Sequence, residues 1–279
     1  MPRVARGPDL LILPAFALLG AVFVVPLVWF FVETLAAEGG VAALAAHAAA
    51  VLASKPVVTA LITTNWISLL VTGFVLIVGY PIAYHLANSR GLGFTLVLFC
   101  VIVPYFTSLI VRTYSWMVLL GRNGLVNQAL LAAGLVETPV PLLYNKFGIL
   151  VGMAYVLLPY MVLTLYAAMR AIDPSLMRVA RGLGASAPYA FLRVYLPLSA
   201  HGIVSGSLVV FILAIGFFVT PALMGGPSDV MIAMLIERAV EITFDWPSAA
   251  IMSLLLLAVT LILYALYCRV ADLDRMLGA

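Results

Sequence analysis

Phe147-Gly-Ile-Leu-Val-Gly-Met-Ala-Tyr-Val-Leu-Leu-Pro-Tyr-Met-Val-Leu-Thr-Leu-Tyr-Ala-Ala-Met169 runs without a charge between Lys146 and Arg170. A helix needs about 20 apolar residues to cross the hydrocarbon core of a bilayer, so this window is long enough for one crossing. The rest of the chain has the same character. Of its 279 residues 65% are hydrophobic and 9% charged, with a mean hydropathy of +1.21. Soluble domains carry about 45–50% apolar and roughly 25% charged residues, and so few charges could not cover a water-facing surface of this size. The chain reads as an all-α polytopic membrane protein.

Other classes fall away on composition. A net charge of +3 spread over loops makes no nucleic-acid footprint. Cys100 and Cys268 both lie in apolar runs, which argues against a disulfide framework or a zinc site. His47, His85 and His201 have no metal-ligand spacing. The apolar runs are continuous, whereas a membrane β-barrel needs short alternating segments.

Working outward from the 147–169 window, charge-free stretches predict five more spans. The first is Leu10 to Val32, too long for the apolar core of a cleaved signal peptide. The second runs from Val57 to about Leu86. The third starts after Arg90 and stays apolar to Val111, with a possible continuation to Leu120. The fifth is His201 to Leu223, punctuated by Pro197 and Pro221, and the sixth lies between Asp245 and Arg269. Asn123 to Val136 and Val41 to Leu52 are too short to cross and belong to loops.

Six spans put both termini on one side. With that side cytoplasmic, nine arginines lie inside (Arg3, Arg6, Arg90, Arg170, Arg178, Arg181, Arg193, Arg269, Arg275) and five basic residues outside (Lys55, Arg112, Arg122, Lys146, Arg238). Lys and Arg concentrate on the cytoplasmic side, so nine against five favours both ends inside. The expected division is 1–57 for the N-terminal tail, first span and outer loop, 58–270 for a five-span core, and 271–279 for a cytoplasmic tail.

The cytoplasmic loop after the 147–169 window, residues 170–200, carries its own structural signals. Asp173 before Pro174 is an N-cap with proline at the first helical position. Leu176, Val179, Ala180 and Leu183 recur at helical spacing, and Gly184 suits the left-handed residue that ends a helix. Ser186 and Pro188 open a second short helix that Pro197 is expected to close. A plain basic loop obeying the charge bias would explain the arginines, but not two caps and an apolar face. The favoured reading is a docking element for a cytoplasmic protein.

In the same loop Arg178-Val179-Ala180, Gly184 and Val194-Tyr195-Leu196-Pro197 resemble the EAA loop of ABC importer permeases, with Arg178 where that family usually has glutamate. Val78 to Tyr84, Val103 to Trp116, Tyr155 to Tyr160, Phe218 to Gly226 and Asp245-Trp246-Pro247 resemble the spermidine/putrescine-type permeases. The resemblance implies a MetI-like type I ABC importer permease fold with six transmembrane helices. It implies a bacterial inner-membrane protein that imports spermidine, putrescine or a similar small solute; iron, opine and phosphonate importers share much of the pattern. It also implies partners: two ABC ATPase subunits, a second and different permease subunit, and an extracytoplasmic solute-binding protein. Membrane lipid surrounds the chain, and no cofactor is bound by it, ATP and Mg2+ being used by the ATPase. The docking residues would be Arg178, Val179, Ala180, Arg181, Leu183 and Gly184.

The residues themselves agree that energy comes from elsewhere. A phosphate-binding loop needs Gly-x-x-x-x-Gly-Lys before Ser or Thr, and the two lysines, Lys55 and Lys146, follow Ser54 and Asn145. A cationic solute would want acids or aromatic faces: Glu237, Glu241 and Asp245, with Tyr105, Tyr114, Trp116 and Tyr160. A solvated outer loop and an interfacial aromatic belt account for the same residues more plainly. An ion-coupled secondary transporter would place ionisable groups within its spans, and spans one, three, four and six have no acid inside them. A membrane-embedded enzyme would need clustered His, Asp or Glu; a structural scaffold would leave the docking loop unexplained.

Overall fold

A computed structural model describes residues 9–36 and 41–277. Arg3 and Arg6, which enter the charge distribution above, lie outside them, as do most of the N-terminal tail and the last two residues. All regular structure among the described residues is helical. Four helices are long and apolar enough to cross a bilayer, or six if each of two sharply bent helix pairs makes one crossing.

The expected first span is α1 (Asp9–Leu19) and α2 (Val25–Ala36), joined by a π turn over Gly20–Val24. No residue in its apolar window is buried within the chain, so its surface is left for lipid or another subunit. The short α3 (Val41–Ala53) leads to α4 (Lys55–Asn88), with Pro56 in its first turn. At 1.5 Å per residue α4 is about 50 Å long, well beyond a hydrocarbon core of about 30 Å, so it carries chain into the aqueous layers. The window that opened the reading is α8 (Lys146–Arg170), with the Asn145 side chain accepting from Gly148 N at 3.0 Å as N-cap.

Two expected spans are not single helices. The third comprises α5 (Leu92–Ile102), a 3-10 turn (Val103–Phe106), then α6 (Leu109–Leu120) and α7 (Leu125–Ala132). The direction changes by 107° where Thr107 and Ser108 turn extended after Pro104. A charge-free window is blind to such a corner. The fifth also departs from expectation: α12 (Ala200–Ile215) stops at Gly216, and Leu223 belongs to a separate short helix, α13 (Val219–Met224), begun after an irregular Phe218. The chain then forms α14 (Ile232–Glu241) and α15 (Trp246–Leu277), whose apolar window, Trp246–Ala265, is the sixth expected span.

Pro197 does not close the second loop helix. After α9 (Pro174–Gly182) and α10 (Ala187–Ala190), a π turn over Phe191–Tyr195 slips the backbone register, with Leu196 N donating to Phe191 O. Pro197 then falls in the first turn of α11 (Leu196–Leu198), where a missing N–H is tolerated. The chain bends by 58° into α12 instead of ending.

The centre is α4, α8 and α12, packed side by side through Val71, Val75, Leu86, Met153, Leu157, Met161, Leu165 and Val210. Lipid tails are as apolar as leucine, so close van der Waals packing rather than water exclusion holds such helices together. Gly202 permits that approach: a Cβ there would sit 2.5 Å from the Ala168 Cβ. Gly202→Val is therefore expected to cost about 1–3 kcal/mol and lower the melting temperature in detergent by several degrees. Gly73→Val, with nothing within 4 Å of its Cβ, should melt unchanged; equal melting of both variants would refute the close packing. A polar tie joins α4 to α14, where Ile232 N donates to the Thr64 hydroxyl at 2.8 Å while that hydroxyl donates to Ala60 O at 2.7 Å.

Candidate functional site

The loop between α8 and α12 folds as its sequence signals direct. The Asp173 carboxylate accepts from Ser175 N at 2.8 Å and Pro174 occupies the first turn of α9. At the other end Ala185 N donates to Ala180 O and Gly184 N to Arg181 O, both at 3.1 Å, which is the paired closure of a Schellman end. Gly184 takes φ +92° to make it.

The apolar face finds no cover in its own chain. Leu176 is 43% exposed, Val179 59% and Leu183 84%. Arg178 and Arg181 are exposed and Ala180 is partly so. The opposite face, through Met177 with Ile172 ahead of it, packs onto the bundle. Helix α9 thus has one side anchored and one side open.

An aromatic cluster does the anchoring. Tyr84 of α4 meets Phe191 at 5.5 Å and Tyr195 at 4.9 Å, both edge-on, and Phe191 stacks on Tyr195 at 5.8 Å between ring centres. The Asn88 amide donates to the Tyr195 hydroxyl at 3.4 Å, Tyr80 and Ser199 share a hydroxyl hydrogen bond at 2.8 Å, and Arg170 donates to Ala87 O at 3.4 Å. Between this cluster and α9 lies a cleft of about 390 Å³. These residues are absent from the sequence-based set of site residues. A signal existed in the two i, i+4 aromatic pairs, Tyr80 with Tyr84 and Phe191 with Tyr195, a spacing that puts both rings on one helix face. Through them the loop touches α4 as well as the two helices it connects.

The Ser175 backbone N–H, then its hydroxyl, and more weakly the charge of Arg178 hold the Asp173 carboxyl below the usual aspartate range. A depressed folded value means that the cap is intact above the unfolded value, about 3.9, and lost as pH falls through the folded one. Amide exchange over 175–178 should accordingly be steady from pH 8 to 5 after correction for intrinsic rates. Asp173→Ala should speed it about fivefold, and an unchanged rate would show that the cap contributes nothing.

Of the expected aromatic and acidic set only part comes together. Tyr105, on the 3-10 turn, meets Tyr160 of α8 edge-on at 5.6 Å between ring centres. Trp116 pairs instead with Tyr155 at 5.6 Å, and Tyr114 is exposed. Glu237 and Glu241 ride on α14, which packs against α4 and α15 and not with the tyrosine pair. Asp245 accepts from Ser248 N at 3.1 Å and caps the start of α15. Among the described residues no group of acids, histidines or cysteines is arranged to hold a metal.

This architecture defines a class: a multi-span helical membrane protein with an exposed apolar helix face on the loop joining two of its central helices and no nucleotide-binding motif in its sequence. Residues 76–272 match the family described as "Binding-protein-dependent transport system inner membrane component", and the chain belongs to that family. It is accordingly a permease subunit of a binding-protein-dependent ABC importer in a bacterial inner membrane, non-catalytic, with ATP hydrolysis in a separate subunit.

It is 34% identical over 206 residues to the spermidine/putrescine transport system permease protein PotB of Escherichia coli K12, covering 74% of this chain and 75% of that one. The PotB of Haemophilus influenzae is 33% identical over 208 residues, 73% of each chain. Among solved structures it is similar to a chain of the bacterial alginate ABC transporter in complex with its pentasaccharide-bound periplasmic protein. The TM-score there is 0.73 at 18% identity, over 93% of this chain and 91% of that one. The inward-facing MetNI methionine transporter gives 0.59 at 16%, over 78% and 98%. At these identities the likeness is one of fold.

Proposed function

We propose that this chain is one of two different permease subunits of an ATP-driven polyamine importer, and that it lines the translocation path by alternating access. The observation that carries the polyamine reading is the identity to PotB over three quarters of both chains. In this reading the chain crosses the membrane six times, each bent pair counting once, with both termini cytoplasmic. Residues 1–57 carry the first span and 58–270 the transport core. The segment 170–200 is the coupling element, and 271–279 a cytoplasmic tail.

Two ATPase subunits hold the open face of α9, through Arg178, Val179, Ala180, Arg181, Leu183 and Gly184. When they close they pull α9, and the Tyr84, Phe191 and Tyr195 cluster carries the displacement into α4, α8 and α12. The solute arrives on an extracytoplasmic binding protein. A polyamine is a flexible polycation, for which aromatic faces are good transient partners, and the Tyr105 and Tyr160 pair supplies two. The acids Glu237, Glu241 and Asp245 and the exposed Tyr114, with Trp116 behind, complete the outer surface that solute or binding protein would meet. The chain itself binds no cofactor, ATP and Mg2+ acting on the ATPase.

The test is purification of the tagged chain from its native membrane with whatever accompanies it. Reconstitution into liposomes with the binding protein would follow, with uptake of labelled spermidine and putrescine measured. Uptake that requires ATP inside and binding protein outside is the expected result. ATP-dependent uptake of another solute with none of polyamine would overturn the substrate, and uptake that follows an ion gradient without an ATPase would overturn the importer.

A further inference from the structure

Between residues 170 and 197 stand four arginines and one acid, Asp173. The acid is engaged, its carboxylate accepting from Ser175 N at 2.8 Å. Arg170 is turned toward its own bundle, donating to Ala87 O at 3.4 Å, and Arg181 lines the cleft behind α9. Arg178 is exposed. At 100° per residue it stands 100° round the helix from Val179 and about 140° from Leu183, on the exposed flank between the open apolar face and the side anchored through Met177. Beside that face a notch of about 620 Å³ opens between α9 and α10, lined by Ala180, Leu183, Gly184, Ala185, Ser186, Tyr189 and Val194, with no charged side chain in it.

From this arrangement we infer that the ATPase surface receiving the coupling segment places an Asp or Glu carboxylate against Arg178 and an apolar side chain in the notch between α9 and α10. The inference rests on the docking reading above and adds the charge sense of the partner. A guanidinium at the margin of a protein interface loses part of its hydration when the partner closes over the neighbouring apolar face, a loss that an opposite charge offsets. A carboxylate matches its planar fork with two parallel hydrogen bonds. The one acid of the segment, Asp173, is taken up by Ser175 and feels the charge of Arg178 only weakly, which leaves the guanidinium to a carboxylate of the partner.

The experiment uses the assembled importer. In the Arg178→Lys variant a carbodiimide joins the introduced amine to a carboxylate within reach. The native lysines do not interfere: Lys146 begins α8, about 36 Å from Arg170 at 1.5 Å per residue, and Lys55 begins α4 at the end away from Asn88. The expected result is a permease–ATPase adduct mapped by mass spectrometry to position 178 and an Asp or Glu of the ATPase. Arg178→Glu should in addition reduce ATPase retention on the purified permease at least about tenfold. Arg178→Gln should reduce it less, and added salt should weaken the parent complex. Retention of the second permease and an unchanged melting temperature establish that each variant is folded. If Leu183→Asp releases the ATPase while Arg178→Glu does not and no adduct forms, docking stands and the acidic partner is overturned. If Leu183→Asp also leaves the ATPase bound, the docking reading itself fails.

Discussion

Replacing Gly184 by valine is expected to drop ATP-driven uptake more than tenfold, while the subunit still inserts and melts as the parent does. Gly184 closes α9 at φ +92°, a region where a β-branched residue is a severe outlier; a left-handed backbone costs an ordinary residue about 1–2 kcal/mol. Nothing lies within 4 Å of the Cβ that would be added, so the strain is local and the bundle does not feel it. What changes is the end of α9: the bonds from Gly184 N and Ala185 N are lost, and with them the placement of Leu183, the most exposed of its large apolar side chains. Uptake and ATPase retention measured together separate a lost dock from a misfolded subunit. Gly184→Asn, which tolerates the left-handed region, should keep most of the activity. Valine at 184 transporting at the parental rate would remove this segment from the coupling path.

The second large effect is expected at the tyrosine pair. Tyr160→Ala removes one of two rings whose centres lie 5.6 Å apart at the corner between the 3-10 turn and α8. A cation over an aromatic face gains about 0.5–1 kcal/mol when exposed and about 2 when desolvated, so polyamine delivered per ATP hydrolysed should fall about tenfold while ATP hydrolysis continues. Tyr160→Phe keeps the face and should keep the yield. A drop caused by lost packing alone would appear equally with Phe94→Ala, whose ring packs against Tyr166, and that outcome would take the Tyr105 and Tyr160 pair out of the path.

Much of the 170–200 segment is legible because its signals are local. Asp173-Pro174 is a cap whichever helix it serves, and Gly184 demands a left-handed turn wherever the chain goes next. The amphipathic spacing of Leu176, Val179 and Leu183 stands out because this loop lies in water, where polar and apolar faces differ. The anchoring cluster was not legible as a cluster. Tyr84 and Tyr195 are separated by more than a hundred residues, and their meeting depends on how α4 crosses the loop.

The sequence alone determined that this is a helical membrane protein, where its long helices lie, and the local chemistry of the loop between α8 and α12. These follow from the lengths of uncharged runs and from caps a few residues wide. Only the tertiary structure decided the 107° corner at Thr107 and Ser108, the early end of α12 at Ile215, and the passage of the chain through Pro197. It alone joined Thr64 to Ile232 and Tyr80 to Ser199. The reason is the solvent. In a bilayer both the lipid-facing and the protein-facing sides of a helix are apolar, so hydrophobic periodicity loses its power to point inward. What then selects the packed faces is close steric fit at glycines such as Gly202 and a few buried hydroxyls, and fit exists only once the helices are side by side.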